Sequence, residues 1–201
     1  MSVDSTQLGA FLAALVALVA SPGPATLGLA GAGAAFGFRA ARRFFFGMLC
    51  GAAFTILLVG SGVFGALLAF PIVAQFLVGL AALYMVYLAY RIATAPPLGE
   101  KAAKGRIPGF LPGFMLAIAN PKAYAVFATL FSGFAIMPGD IASDALLKGC
   151  VIMTLLSVID LAWLYAGSAL RHLFQDPKVS RRINIAFAVL LLVSVVLAVS
   201  V

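Results

Sequence analysis

Charged side chains occur in this chain only as short clusters, and long apolar stretches run between them. No Asp, Glu, Lys or Arg occurs from Ser5 to Phe38, from Phe44 to Tyr90, or from Ile183 to Val201. About 20 apolar residues suffice to cross the hydrocarbon core of a bilayer, so runs of this length predict membrane spans. The stretches show no alternation at period two, which excludes an outer-membrane barrel built of roughly ten-residue alternating strands. An all-α integral membrane protein is predicted, with six transmembrane helices at about 7–36, 44–69, 72–93, 110–136, 146–170 and 183–201. Pro71 marks the tight turn between the second and third.

Composition strengthens that picture. Hydrophobic residues make up 64% of the 201 positions and charged residues 9%, whereas soluble domains are about one quarter charged. Asp4 is the only charged residue before Arg39. The first apolar segment thus lacks the basic region of a secretory signal, and it is expected to be retained as a helix. The net charge of +7 does not point to nucleic acid, because the basic residues fall between apolar runs. Arg39, Arg42 and Arg43 follow the first helix; Arg91, Lys101, Lys104 and Arg106 follow the third; Arg171, Lys178, Arg181 and Arg182 follow the fifth. Eleven of the thirteen basic residues thereby share one side, with Lys148 on the other and Lys122 inside a span. The positive-inside rule makes those three loops cytoplasmic and both termini periplasmic or extracellular.

The stretch from Pro96 to Pro108 is the one linker polar enough to divide the chain. It leaves a single transmembrane domain made of repeat one (about 1–95), a cytoplasmic linker (about 96–108) and repeat two (about 109–201). Each repeat opens with a helix broken near its middle, at Ser21-Pro22-Gly23-Pro24 and at Asn120-Pro121-Lys122. Two units of three helices in tandem cross the membrane in opposite senses. Such inverted repeats are typical of secondary transporters, which bind cargo where paired broken helices meet.

Proline removes a backbone donor and crowds the preceding turn, so both breaks should unwind. Ser21 and Asn120 are N-cap residue types, each followed by proline, and the sequence predicts a new helix N-terminus in mid-membrane at each. Unpaired amides and the helix dipole favour a carboxylate there. Lys122 adds a full charge, at an insertion cost of about 2.5–3.5 kcal/mol if it lies at the centre of a span, unless it snorkels to the headgroups. Asp160 lies inside the fifth helix, where it could neutralise Lys122, carry a coupling proton or meet a substrate ammonium. Ser21, Pro22, Gly23, Pro24, Asn120, Pro121 and Lys122 are therefore the candidate substrate-binding residues, and Asp160 the candidate proton-coupling residue or charge partner. Thr154, Ser157 and Asp160 are predicted to form a polar stripe facing the bundle interior. Gly33-x-x-x-Gly37 and Gly47-x-x-x-Gly51 are assigned to close helix packing. No metal site or cofactor is expected, since His172 is the only histidine and has no neighbouring ligands.

Ser21-Pro22-Gly23-Pro24, Gly37-x-Arg39, Gly47-x-x-x-Gly51 and Ala119-Asn120-Pro121-Lys122-Ala123 with Phe127, together with Leu83-Tyr84 and Arg91, resemble the LysE/RhtB family of amino-acid exporters. Ala41, Ala81 and Ala89 stand where that family usually has glycine. The resemblance implies a bacterial inner-membrane carrier, not an enzyme, that exports an amino acid or a close relative and is coupled to protons. Its expected partners are a small zwitterionic solute, protons and the lipid bilayer, with a homodimer admitted as an assembly. Two alternatives stand beside this reading. One is a thiol/disulfide electron carrier using Cys50 and Cys150, which occupy similar places in the two repeats. The other is a cation exporter, for which Asp160 alone is a thin ligand set.

Overall fold

The computed structural model describes residues 3–70, 72, 75–76, 79, 83, 86–87, 89–90, 93–94, 109–170 and 177–199. Among them there is no strand. The helices are α1 (Ser5–Ala20), α2 (Pro24–Phe36), α3 (Phe38–Gly60), α4 (Val63–Leu68), α5 (Phe110–Ile118), α6 (Pro121–Ser132), α7 (Ile141–Ala169) and α8 (Pro177–Val199). By length and composition α3 and α7 can each cross a membrane; α1 with α2 and α5 with α6 add two more crossings if each bent pair is one span. The chain is a multi-pass membrane protein. The expected helix at 72–93 falls largely outside the described residues, as do the turn at Pro71 and the linker at 96–108.

Local chemistry sets the helix ends. The Asp4 carboxylate caps α1, accepting from Thr6 N at 2.9 Å and Gln7 N at 3.0 Å. Asp140 caps α7 through the Ser143 hydroxyl at 2.6 Å and amide at 3.1 Å. Those bonds hold the exposed Asp140 carboxyl below the usual carboxylate range, the Ser143 hydroxyl contributing most. This cap starts α7 at Ile141, five residues ahead of the expected 146.

The second helix departs from its expected bounds for a similar reason. Gly37 has φ 80°, so one residue turns the chain from α2 directly into α3. Arg39, Arg42 and Arg43 consequently sit on the first turns of α3, not in a loop. Ser168, from α7, accepts the Phe38 amide at 3.0 Å and so caps α3 from across the bundle.

Two cores hold the bundle together. In the half that carries Arg39, Arg42 and Arg43, Leu29, Ala41, Phe44, Met48, Leu116 and Leu164 are buried together. Ala41, where the resemblance would place glycine, is fully enclosed. In the opposite half Phe11, Leu15, Phe127, Leu130, Ile136 and Ile152 are buried. Gly33, Gly47 and Gly51 pack closely as expected, whereas Gly37 serves the turn between α2 and α3. A Cβ on Gly47 would lie 2.0 Å from Phe110 O, one on Gly51 2.7 Å from Phe114 O, and one on Gly33 2.3 Å from Leu164 O.

Lys148, expected near the start of the fifth helix on the side away from the other basic residues, belongs to a buried network. It lies on α7 with 1% of its surface exposed. Its ammonium pairs with Asp144 at 2.5 Å and donates to Phe131 O at 3.0 Å and to Phe134 O. Asp144 Oδ1 in turn accepts from Ile136 N and Met137 N, each at 2.8 Å. The pair thus fastens the C-terminal end of α6 and the following loop to α7.

Candidate functional site

Both predicted breaks are present. α1 and α2 meet at a bend of 52°, and α5 and α6 at a bend of 56°. They differ in length because of proline count. Asn120 is extended, and α6 restarts at once with Pro121 in its first position while Asn120 Oδ1 accepts Lys122 N at 3.2 Å. In the first break two prolines disfavour helical backbone at the residues before them. Ser21 and Gly23 are both extended, and the helix restarts only at Pro24.

Ser21 is therefore not the N-cap that its residue type suggested. It is the C-cap of α1, and Gly23 is the N-cap of α2. Pro22 has no N–H to offer the carbonyl four residues back, that of Leu18, and the Ser21 hydroxyl donates to that carbonyl instead, at 2.7 Å. Gly23 N donates to Thr26 Oγ1 at 2.9 Å, and the Thr26 hydroxyl returns a bond to Gly23 O at 3.1 Å. Sequence reasoning passed over Thr26, which is 4% exposed. The signal was a hydroxyl three residues beyond a helix-starting Gly-Pro.

Lys122 reaches from the second break to the first. Its ammonium donates to Ser21 O at 2.5 Å, to Ser21 Oγ at 2.8 Å and to Pro22 O at 3.4 Å. It thus caps the C-terminal carbonyls of α1, where a helix dipole favours a cation. The lysine side chain lies across Gly23, where an added Cβ would sit 2.8 Å from Lys122 Cδ. With φ −171° Gly23 has a backbone that any residue adopts. The requirement for glycine here is therefore room for the lysine, not conformation.

Asp160 is 3% exposed and lies on the buried face of α7 with Lys148, Ile152, Leu156, Leu164 and Gly167. The expected polar stripe is not on that face. Thr154 is exposed and bonds to Cys150 O, while Ser157 is half-buried and bonds to Met153 O. Each hydroxyl satisfies itself on its own helix four residues back, so nothing draws it inward.

Lys122 and Asp160 line one cavity without forming a salt bridge with each other. Gly23, Thr26 and Asn120 contribute its other polar surface, and Leu18, Val19, Val126, Phe127 and Leu156 its apolar wall. Ser21 and Pro22 touch it through Lys122, and Pro24 and Pro121 fix the two helix starts that frame it. The volume is about 40 Å³. At about 10–15 Å³ for a water, it holds a few waters but no amino acid.

Cys50 and Cys150 are free and exposed, and neither lines the cavity. The thiol/disulfide alternative finds no pair at the breaks. Among the described residues no group of three or more His, Cys, Asp or Glu is placed to hold a metal ion.

Comparison with known proteins agrees with the reading of the motifs. Residues 16–200 match the model of the family described as LysE type translocator. A cysteine/O-acetylserine efflux protein of Salmonella typhi is 29% identical, over 92% of this chain and 93% of the relative. Its counterpart in Escherichia coli K12 is 27% identical, over 92% and 94% respectively. No solved structure matches the chain. With its family model spanning nearly the whole sequence, the chain belongs to the LysE-type translocators, a family of transporters and not of enzymes.

Proposed function

We propose that this protein exports a small, net-neutral amino acid or amino-acid derivative, with the cargo carboxylate at Lys122 and the cargo ammonium at Asp160. The observation that carries the reading is that a half-buried cation, Lys122, and a buried carboxylate, Asp160, face a single cavity where two broken helices meet. One charge of each sign suits a zwitterion and leaves none for a charged side chain. The named activity of the relatives, efflux of cysteine and O-acetylserine, belongs to this class of cargo.

Alternating access between two inverted three-helix repeats, residues 1–95 and 109–201 about the linker 96–108, is the mechanism proposed. The two bends of 52° and 56° support it, each restarting on a proline. Pro24 and Pro121 hold the first helical position after each break, which supports pairing these two prolines in the repeat. Arg39, Arg42 and Arg43 at the start of α3 support a cytoplasmic assignment of that end, with both termini outside. Proton coupling through Asp160 belongs to the same proposal.

The test is efflux from vesicles reconstituted with purified protein and loaded with labelled O-acetylserine. Lys122→Met should lower cargo affinity at least about thirtyfold, as loss of one partner from a buried charge pair costs about 2 kcal/mol or more. Normal efflux by well-folded Lys122→Met protein would refute the placement of the carboxylate.

A further inference from the structure

We infer that Lys122 is a bolt between the two helix breaks, drawn by the cargo carboxylate, so that the empty carrier is held shut and the loaded one is released. This rests on the proposed placement of the carboxylate at Lys122. It adds that binding and release are a single event at one ammonium group.

A lysine ammonium has three hydrogens and accepts nothing. All three are directed to the first break, at Ser21 O, Ser21 Oγ and Pro22 O. No donor is left for cargo. A carboxylate can reach this cation with a hydrogen bond only by displacing at least one of the acceptors that tie α6 to the end of α1.

What such displacement frees depends on what else holds α1. On the Arg39 side, α2 is joined to α7 and α3 to α5 through their backbones, with glycines on both sides of each contact. α1 has no such contact, since a Cβ added to Gly9 would meet nothing within 4 Å. Its attachments are side-chain packing by Phe11, Leu15 and Val19, the Asp4 N to Ile136 O bond at 2.9 Å, and the Lys122 bonds at its C-terminal end. Next to the cavity, Lys122 is the polar tie between the two breaks. Gly23 leaves it the room to lie there, which makes Ser21 and Gly23 positioning residues.

The experiment reads exposure of α1 by cysteine modification. The parent is the full-length protein with Cys50→Ser, Cys150→Ser and Leu15→Cys, purified in detergent. Leu15 is fully buried, lies on α1 and does not line the cavity. Its modification by a water-soluble methanethiosulfonate therefore reports separation of α1 and not occupancy of the site. Without cargo, Ser21→Ala should speed modification about tenfold, the effect of losing one hydrogen bond to a charged group. Ser21→Thr keeps the hydroxyl and should match the parent. O-acetylserine should accelerate the parent and add little to Ser21→Ala.

Modification of Ser21→Ala at the parent's rate, in protein that still elutes as a single species, would overturn the bolt whatever O-acetylserine does. If Ser21→Ala is fast and Ser21→Thr slow while O-acetylserine neither changes the parent nor leaves loaded vesicles, the tie holds the breaks and it is the cargo assignment that fails.

Discussion

Helices in the half of the bundle that carries Arg39, Arg42 and Arg43 meet backbone to backbone, whereas in the other half they meet through side chains. On the Arg39 side two seams are reciprocal. A Cβ on Gly167 would sit 2.0 Å from Ala30 O and one on Gly33 2.3 Å from Leu164 O, which joins α2 to α7. A Cβ on Gly113 would sit 2.1 Å from Phe44 O and one on Gly47 2.0 Å from Phe110 O, which joins α3 to α5. In the opposite half Phe11 meets Phe134 edge to face with ring centroids 5.7 Å apart, and Lys148 with Asp144 fastens α6 to α7. Backbone contacts leave no rotamer by which to adjust, so a seam is either closed or parted as a unit. Side-chain packing can yield in small steps. In a carrier, the glycine half is thus suited to rigid-body opening and the aromatic half to local give at α1.

The Lys148 network is the sharpest departure from yielding packing in the half opposite Arg39, and its disruption should have the largest effect on stability. Asp144→Ala leaves an ammonium 1% exposed with only carbonyls around it and frees two amides of the loop. Breaking a buried pair on one side costs about 3–5 kcal/mol. The expected result is a large fall in the denaturant midpoint of purified protein. Asp144→Asn with Lys148→Met should recover most of the loss, since Asn retains an oxygen for the Ile136 and Met137 amides and no charge stays unpaired. An unchanged midpoint for Asp144→Ala would show that the ion pair is dispensable.

This network also marks where the sequence was and was not legible. Helix existence, both breaks and the convergence of Gly23, Asn120, Lys122 and Asp160 on one spot could be read from apolar runs and proline chemistry, because these are local signals or strong costs. Lys148 was read only as the one basic residue on the side away from the clusters, although Asp144 four residues earlier offered the helical pair spacing. Its burial depends on carbonyls at Phe131 and Phe134, which only the fold brings near. Ser21 was misassigned for a related reason. Its type fits a cap at either helix end, and the second proline, not the serine, decides where α2 starts. The polar stripe failed because Thr154 and Ser157 can satisfy themselves on their own backbone, leaving Asp160 alone to need the interior.

The next effect in size belongs to the seams. Gly167→Ala and Gly113→Ala each place a methyl against a carbonyl at 2.0 and 2.1 Å, and overpacking of this kind costs about 1–3 kcal/mol. Since both positions press on backbone, no rotamer change relieves them. Gly9→Ala on α1 provides the contrast, because nothing lies within 4 Å of its added Cβ. Replacing a glycine inside a helix there should stabilise by about 0.5–1 kcal/mol. Equal midpoints for Gly167→Ala and Gly9→Ala would mean that the seam is not a close contact.

The smallest expected effect tests whether the half opposite Arg39 yields as its packing suggests. Phe134→Leu keeps an apolar side chain between α1 and the loop after α6 but removes one ring from the edge-to-face pair with Phe11. The ring interaction beyond area burial is about 0.5–1.5 kcal/mol. Phe134 is only half-buried, so the leucine can settle against its neighbours and the midpoint should fall less than in Gly167→Ala. Phe11→Leu should cost somewhat more, since Phe11 is fully enclosed. If the two rings act as a pair, the double change should fall short of the sum of the single ones by roughly the pair term. Strict additivity would show that each ring merely fills space. A loss for Phe134→Leu as large as that for Gly167→Ala would instead show that the aromatic half is as unyielding as the glycine seams, and α1 would then have no softer half in which to move.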